Sequence, residues 1–471
     1  MDTVATPPRN SSRPILIPLI VACALFIELV DSTVIGTALP LIARDFGKDP
    51  IVLKLGLSAY LVSLAVFIPI SGWIADRFGS RTVFCAAMAT FMVSSMLCGL
   101  SRTLGFFVMV RFVQGIAGAM MVPVGRIVIV RTVEREDLVT AFTYLTVPAT
   151  LGPLTGPVLG GFIATYLNWR WIFFINVPIS LLGICLAWRF MENLREDEVA
   201  PLNVLGFVLS ASGLSLFMFG LSTVDEQLVS RPAAGACIAV GAALSVLYLR
   251  RARREPAPLL DFTFFRLRTF LVAVGGGSLF RVGIGSLALL LPLMLQLGFG
   301  LSPFRSGLLT CAAALGSIFI RGATKSVLRR VGFRRLLGYN ALLSALAIAS
   351  FGLFTMRTPH AVIFLVLLIG GGFHAMQFTS LNALSYAEVP DREVSRATSL
   401  FATIQQLSLG MGVTVGAFCL QASRWIQGHP HIVAGDFLPA FVAVGLCAAA
   451  SAPFAFRLPA TAGEEMAGRT A

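Results

Sequence analysis

Long apolar runs broken by short polar links set the pattern of this chain. A helix that crosses the hydrocarbon layer of a membrane needs about 20 apolar residues, and the sequence supplies such a run fourteen times. The predicted spans cover residues 14–36, 51–75, 82–100, 104–128, 139–163, 170–190, 202–222, 233–250, 269–297, 303–325, 334–355, 360–386, 395–420 and 436–456. The first run is too long for the apolar core of a secretory signal and no small-residue cleavage site follows it, so no cleavable leader is expected. The fold class this predicts is an all-α polytopic membrane protein with 14 transmembrane helices.

Composition agrees. Hydrophobic residues fill 56% of the 471 positions and charged ones 13%, with a mean hydropathy of +0.85, more apolar surface than a soluble globular chain needs. The net charge of +13 raises the question of nucleic acid, but the bases sit in short links between spans rather than on one amphipathic face. With the N-terminus placed in the cytoplasm, 22 of the 36 Lys and Arg fall on the cytoplasmic side and nine outside. The remaining five, Arg111, Arg126, Arg281, Arg321 and Lys325, lie within spans. That asymmetry predicts both termini inside. The eight cysteines, Cys23, Cys85, Cys98, Cys185, Cys237, Cys311, Cys419 and Cys447, fall in or beside apolar runs. None forms a CxxC or Cys/His metal spacing, so they read as small core residues and no metal is expected.

An internal repeat organises the spans. "DRFGSR" (76–81) after the second span is echoed by "RRVGFR" (329–334) after the tenth, an offset of 253, and span starts repeat at 14 and 269 and at 139 and 395. Two six-helix halves account for twelve spans and leave the seventh and eighth as an insertion, a plan used by many secondary transporters. The expected divisions are an N-terminal six-helix bundle (1–193), two inserted helices with a basic cytoplasmic loop (194–268), a C-terminal six-helix bundle (269–457) and a cytoplasmic tail (458–471).

Four stretches carry more than hydrophobicity. In "GWIADRFGSR" (72–81), Gly72 and Gly79 permit close backbone approach, Asp76 sits at a helix end where it can bond a neighbouring terminus, and Arg77 and Arg81 face anionic headgroups. In "RFVQGIAGAMMVPVGR" (111–126), Arg111 lies inside a span, a functional candidate by default. In "GPLTGPVLGG" (152–161), Gly152, Gly156 and Gly160 form a smooth stripe for helix packing while Pro153 and Pro157 interrupt the hydrogen-bond ladder. In "LFIELVDSTVIGTALP" (25–40), Glu28 and Asp31 are the only acids lying away from span ends.

Together these signatures resemble the major facilitator superfamily, in its fourteen-helix drug:proton antiporter branch, over about residues 14 to 456. The resemblance implies that 72–81 latches the halves on the cytoplasmic side, that Arg111 serves proton coupling or positions the nearby acid, and that 152–161 is the antiporter signature. It also implies that Asp31 in "LVDSTVIGTALP" is the branch's first-helix acid. Glu28 is not part of that pattern, and the C-terminal echo has Arg329 where the first copy has Asp76. "GAMMVPVGR" (118–126), the position of Arg281 and "GFGLSPFRSGL" (298–308) are similar to the MdtD-type subgroup. Its name implies multidrug efflux, and export of organic acids or iron-citrate is associated with it.

Glu28 and Asp31, three residues apart, project from one helix face and are expected to titrate as a coupled pair. Arg281, near mid-span in "GGGSLFRVGIGS" (275–286), has Asp31, Glu28 or an anionic substrate as natural partners. His374, Gln377, Gln405 and Gln406 are further candidates for a central cavity, with core hydrogen bonding as the plainer role of the glutamines. No nucleophile–base set, metal cluster or Walker motif is present, so neither an enzyme nor an ATP-driven pump is expected, and no cofactor beyond a proton gradient. The expected activity is proton-coupled efflux of drugs or other lipophilic compounds by alternating access. Export of organic anions or metal chelates is the second reading, and a passive channel or receptor the reading of another class. The expected partners are a small-molecule substrate, protons and membrane lipid, with no nucleic acid; the chain is expected to act as a monomer in a bacterial inner membrane.

Overall fold

The computed structural model describes residues 15–133, 138–196, 199, 201–223, 229–255, 258–390, 393–459 and 461–463, and its description omits the side chains of 138–140, 142, 143, 146–150 and 321. The Arg321 side chain and most of the expected tail at 458–471 thus lie outside the description. Among the described residues fourteen helices carry the fold: α1 Leu16–Asp45, α2 Lys54–Phe78, α3 Ser80–Gly99, α4 Leu104–Thr132, α5 Leu138–Tyr166, α6 Trp171–Phe190, α7 Val204–Thr223, α8 Arg231–Ala252, α9 Arg268–Gly298, α10 Pro303–Val331, α11 Phe333–Phe351, α12 His360–Leu384, α13 Val394–Ile426 and α14 Ala434–Phe456. Among the described residues twelve are long and apolar enough to cross a membrane. The other two predicted spans, 139–163 and 334–355, fall on α5 and α11. Arg334 and Arg335 open α11 and dilute its apolar character, so the count of fourteen rests on position for these two.

The helices pack as two bundles. In the first, α1 lies along α5, α2 along α4, and α3 against α4 and α6; in the second, α9 lies along α13, α10 along α12, and α11 against α12 and α14. Each pairing of the first bundle thus recurs eight helices later. The bundles meet along α5 with α10 and α2 with α13, a second pair of equivalent contacts. The inserted helices α7 and α8 form an antiparallel hairpin joined at Gly213 and Gly241 and lean on α2. The contact with α2 runs through Val62, Val66 and Met218, while most of α8 faces outward.

The sequence echo has a backbone counterpart. Gly79, between α2 and α3, has φ +91°, and Gly332, between α10 and α11, has φ +81°. Each donates its N–H to the carbonyl four residues back, Ala75 and Leu328 respectively. A residue with a β-carbon is strained in this conformation, so only glycine ends one helix and begins the next without a longer link. Gly72, by contrast, meets only Ile127 Cδ1 at 3.9 Å, so the expected close approach there is not made.

The glycines of α5 face α1. A β-carbon on Gly152 would lie 2.7 Å from Leu29 Cβ, one on Gly156 would meet Thr33 Oγ1, and one on Gly160 would lie 2.6 Å from Thr37 Oγ1. The same helix presses its other side on the second bundle: Gly307 of α10 faces the carbonyl of Pro157, and Gly161 faces that of Pro303. The equivalent seam in the second bundle sets Gly412 and Gly416 of α13 on Val282 and Ser286 of α9. With lipid as apolar as the side chains, such small-residue contact is what holds spans together.

Gly156→Leu is therefore expected to force α1 and α5 apart at a cost of about 1–3 kcal/mol. Gly105→Leu, at a position with open space, serves as its control. Thermal melting of purified protein in detergent should show a clear loss for the first and none for the second; equal melting would disprove the seam's role.

Candidate functional site

The stretch of α1 that the glycine seam grips is the one that carries Asp31. Asp31 and Arg111 of α4 are both fully enclosed, and Arg111 Nη1 donates to Asp31 Oδ2 at 2.5 Å. Gln114 Nε2 and Asn176 Nδ2 each donate to Asp31 Oδ1 at 3.1 Å. Arg111 also donates to Gln114 Oε1 at 2.6 Å, and Asn176 to Ser95 Oγ at 2.9 Å. The guanidinium lies over the Tyr60 ring, 4.4 Å from its centroid. Helices α1, α2, α3, α4 and α6 thus all contribute to one polar cluster in a membrane-spanning bundle. A buried charge pair is tolerated only with such supporting bonds, and removing one partner strands the other.

Glu28, one helical turn away, is placed differently. It is partly exposed, its Oε2 is buried without a hydrogen-bond partner, and the base that acts on it most strongly is the exposed Arg126. Gly118 of α4 lies beside it: a β-carbon there would be 3.8 Å from Glu28 Cδ and 3.2 Å from Tyr60 Oη. The two acids share a helix face, as expected, but only Asp31 has a counter-ion in direct contact.

Arg281 does not pair with either acid. It is fully buried in the second bundle, where Nη1 donates to the carbonyl of Ala273 at 3.1 Å. The rings of Phe401 and Phe378 flank it at 5.0 and 5.8 Å, and Nε and Nη2 have no hydrogen-bond partner. Asp31 is taken by Arg111, and the Arg281 side chain runs back along its own helix over Gly277, which removes the expected cross-cavity contact. Two turns of i→i+5 hydrogen bonding, Leu271–Gly276 and Met294–Gly298, flank this part of α9, a distortion common at functional sites. Under the repeat, Arg281 stands where the first bundle has Glu28, at the offset of 253.

The other cavity candidates divide. Gln377 is buried, donates to the Leu337 carbonyl at 3.1 Å and accepts from Asn340 at 3.0 Å, so it ties α12 to α11. His374 is buried between Phe280 and Phe351, with centroids at 6.5 and 6.3 Å, and its Nε2 has no partner. Gln405 and Gln406 are partly exposed on α13, and Gln405 Oε1 has no partner. In the 72–81 loop, Asp76 accepts from Arg131 Nη2 at 3.1 Å, and Arg131 also pairs with Glu196 at 3.1 Å. Arg81 packs over the Trp188 ring at 5.0 Å, while Arg77 is exposed. These contacts lie within the first bundle and the segment that directly follows it. Hydrogen bonds and ion pairs that join the bundles, between described residues, fall at the opposite end: Gln296 to Thr37, Phe304 to Thr165, Ser58 to Thr414 and Arg424 to Asp49.

Sequence reasoning missed Gln114, Asn176, Ser95 and Tyr60. Gln114 was signalled by its place three residues after Arg111, on the same helix face. Asn176 and Tyr60 were signalled only as polar groups inside apolar runs, a signal shared by many serines and threonines here.

The profile of the Major Facilitator Superfamily matches residues 21–413. Curated relatives named as the multidrug resistance protein MdtD include one from Pectobacterium atrosepticum, 36% identical over 88% of both chains. Another, from Shigella flexneri, is 35% identical over 88% of this chain and 87% of its own. Among solved structures, a D-xylose-proton symporter superposes with a TM-score of 0.67 at 16% identity, covering 95% of this chain and 98% of its own. A human organic anion transporter gives 0.59 at 17% identity, covering 96% and 100%. These last two speak to the fold alone. The doubled bundle, the glycine seam and these likenesses agree, and the chain is a multi-pass membrane transporter of the Major Facilitator Superfamily.

Proposed function

We propose that this protein is a proton-coupled antiporter that exports lipophilic drugs, carrying them by alternating access of the bundles 1–193 and 269–457. It works in a bacterial inner membrane, as a monomer with both termini cytoplasmic and no cofactor. The name of its relatives supports drugs as cargo. The observation that carries the coupling is the buried Asp31–Arg111 pair with the partly exposed Glu28 one turn away. A carboxylate must be neutral in one state and charged in the other if protons are to drive transport. Protonating Asp31 frees Arg111 from its anion, and a cationic substrate at Glu28 opposes protonation there; by linkage each ligand weakens the other. With the 76–81 turn cytoplasmic, the bonds between bundles seal the extracytoplasmic end, and Glu28 loads from the cytoplasm. The bundles rock about the α5–α10 and α2–α13 contacts.

Purified protein in liposomes should accumulate ethidium against its gradient when only a pH gradient is imposed. Asp31→Asn, which removes the titrating group, should cut that uptake by a factor of about 100 or more. Uptake that ignores pH would instead mark a passive channel, and full pumping by Asp31→Asn would remove Asp31 from the mechanism.

A second reading, export of organic anions, is favoured by one observation: Arg281 keeps two buried N–H groups unpartnered. Arg281→Ala should abolish citrate transport and spare ethidium if this reading holds. Equal loss of both would assign Arg281 to folding, and the same panel separates iron-citrate from free citrate.

A further inference from the structure

Helix α13 ends in a turn that fixes a histidine beside an arginine. Gly428, at φ +71°, stops the helix, and the N–H of His429 reaches back to the Arg424 carbonyl at 3.1 Å, the closure that a left-handed glycine permits. Arg424 is the residue whose Nη1 donates to Asp49 Oδ2 at 3.0 Å, from the second bundle to the first. The other two nitrogens of that guanidinium are taken up by the same turn: Nε donates to the His429 carbonyl at 3.3 Å, and Nη2 to that of Pro430. The turn therefore aims Arg424 at the first bundle. Asp49 is held ready for it, since its Oδ1 accepts from the Ile51 N–H at 2.9 Å.

What keeps the turn in shape is a buried acid. Asp436 is fully enclosed, accepts from the Val433 N–H at 2.9 Å and meets His429 Nδ1 at 2.8 Å, so it closes residues 429–436 into a loop. An enclosed carboxylate needs a counter-charge. The base in contact with this one is His429, whose side chain is 35% exposed and so open to protons from the medium. Among the described residues, the charged and titratable groups facing His429 are Asp436 in the loop, Arg424 at the end of α13 and, beyond Arg424, Asp49 of the first bundle. The stretch of α9 packed on 434–436, Met294–Gly298, carries no charge, and His431 is exposed.

We propose that the 429–436 loop is a pH switch on the outer side: a proton on His429 secures the Arg424–Asp49 bond and so holds the extracytoplasmic end shut. This rests on the orientation and alternating access given above, which put the loop outside. Imidazole is the side chain whose charge ordinarily changes between about pH 5 and 8. With the proton on, His429 and Asp436 are an ion pair, the loop is closed, and both carbonyls stay on Arg424. With the proton off, the enclosed carboxylate has no counter-charge, the loop loosens, and the guanidinium is no longer aimed at Asp49. The stabilisation is present in acid and lost as the pH rises, since the ion pair exists only with the proton bound. By linkage, acid outside slows the opening of that end. The cycle is then braked where the outer proton concentration is highest, which limits how fast protons enter.

The test follows hydrogen exchange of the peptide spanning 424–436 by mass spectrometry, in the full chain purified in detergent. Each rate is divided by the chemical rate of an open chain at that pH. In the unaltered protein the peptide should exchange at least about fivefold more slowly at about pH 5.5 than at about pH 8. His429→Gln keeps a donor towards Asp436 but cannot take a charge, so at both values it should exchange as the unaltered protein does at the higher one. Asp49→Asn breaks the bond between bundles and leaves the loop, whose pH dependence should remain. In liposomes at equal pH on both sides, each variant should exchange ethidium about fivefold faster than the unaltered protein at about pH 5.5, and within about twofold of it at about pH 8. Equal protection of the peptide at both pH values in the unaltered protein would overturn the switch, as would pH dependence that survives in His429→Gln. A loop that switches while neither variant speeds exchange in acid would overturn its hold on the bundles. If the unaltered protein carried no ethidium, the export reading would fall, while the peptide measurement would still decide the loop.

Discussion

The arrangement of the first bundle follows from the constraint that a guanidinium and a carboxylate lie together where no water reaches them. Arg111 and Asp31 cannot be separated in that setting without stranding a charge, at a cost of about 3–5 kcal/mol. They are held by donors from several directions: Gln114 from the same helix as Arg111, Asn176 from α6, with Ser95 of α3 behind it. Five helices are fixed around one carboxylate, and what happens to its charge is felt by all of them. Asp31 is thus an acceptor that α4 and α6 share, with bonds from Arg111, Gln114 and Asn176.

The glycine seams decide what can move in response. Gly152, Gly156 and Gly160 bring α5 so close to α1 that the two helices must travel together, while Pro157 and Gly161 on the far side of α5 meet Gly307 and Pro303 of α10 by backbone contact. Side chains cross the same joint: the Phe304 ring of α10 packs edge-on against Phe162 and Tyr166 of α5, and the Phe304 N–H donates to Thr165 Oγ1 at 3.0 Å. The equivalent contact, α2 with α13, carries the Ser58–Thr414 hydrogen bond, and Ser222 of the inserted α7 bonds the same Thr414 at 3.0 Å. The inserted hairpin therefore reaches the joint between the bundles rather than standing apart from it.

Much of this was legible in the sequence. The spans follow from apolar run length, and the repeat offset found in two basic loops reappears as two glycines of positive φ and as helix pairings that recur eight helices on. Asp31 and Arg111 were legible as charges where charge is costly. Their pairing was not, because a sequence shows that a buried base needs an acid but not which one: Arg281 is as deep as Arg111 and has the same claim on paper. Geometry excluded it, since its side chain turns back along α9 to the Ala273 carbonyl. Core hydrogen bonding was the plainer role expected of Gln377, but its partners were illegible for the same reason, as Asn340 and Leu337 lie 37 and 40 residues away in the chain.

The repeat sets one further relation between the two charges that the sequence left unpaired. Glu28 and Arg281 occupy equivalent positions in α1 and α9, yet one is an acid and the other a base. Each lacks a direct counter-ion, and each keeps at least one polar atom buried without a partner. Their surroundings differ in kind. Glu28 is partly exposed and lies beside Gly118 of α4. Arg281 is enclosed by Phe378 and Phe401, the setting of a charge that acts only if those rings part. Corresponding parts of the two bundles thus hold charges of opposite sign: the first an ion pair beside a partly exposed acid, the second a base shielded by aromatic rings.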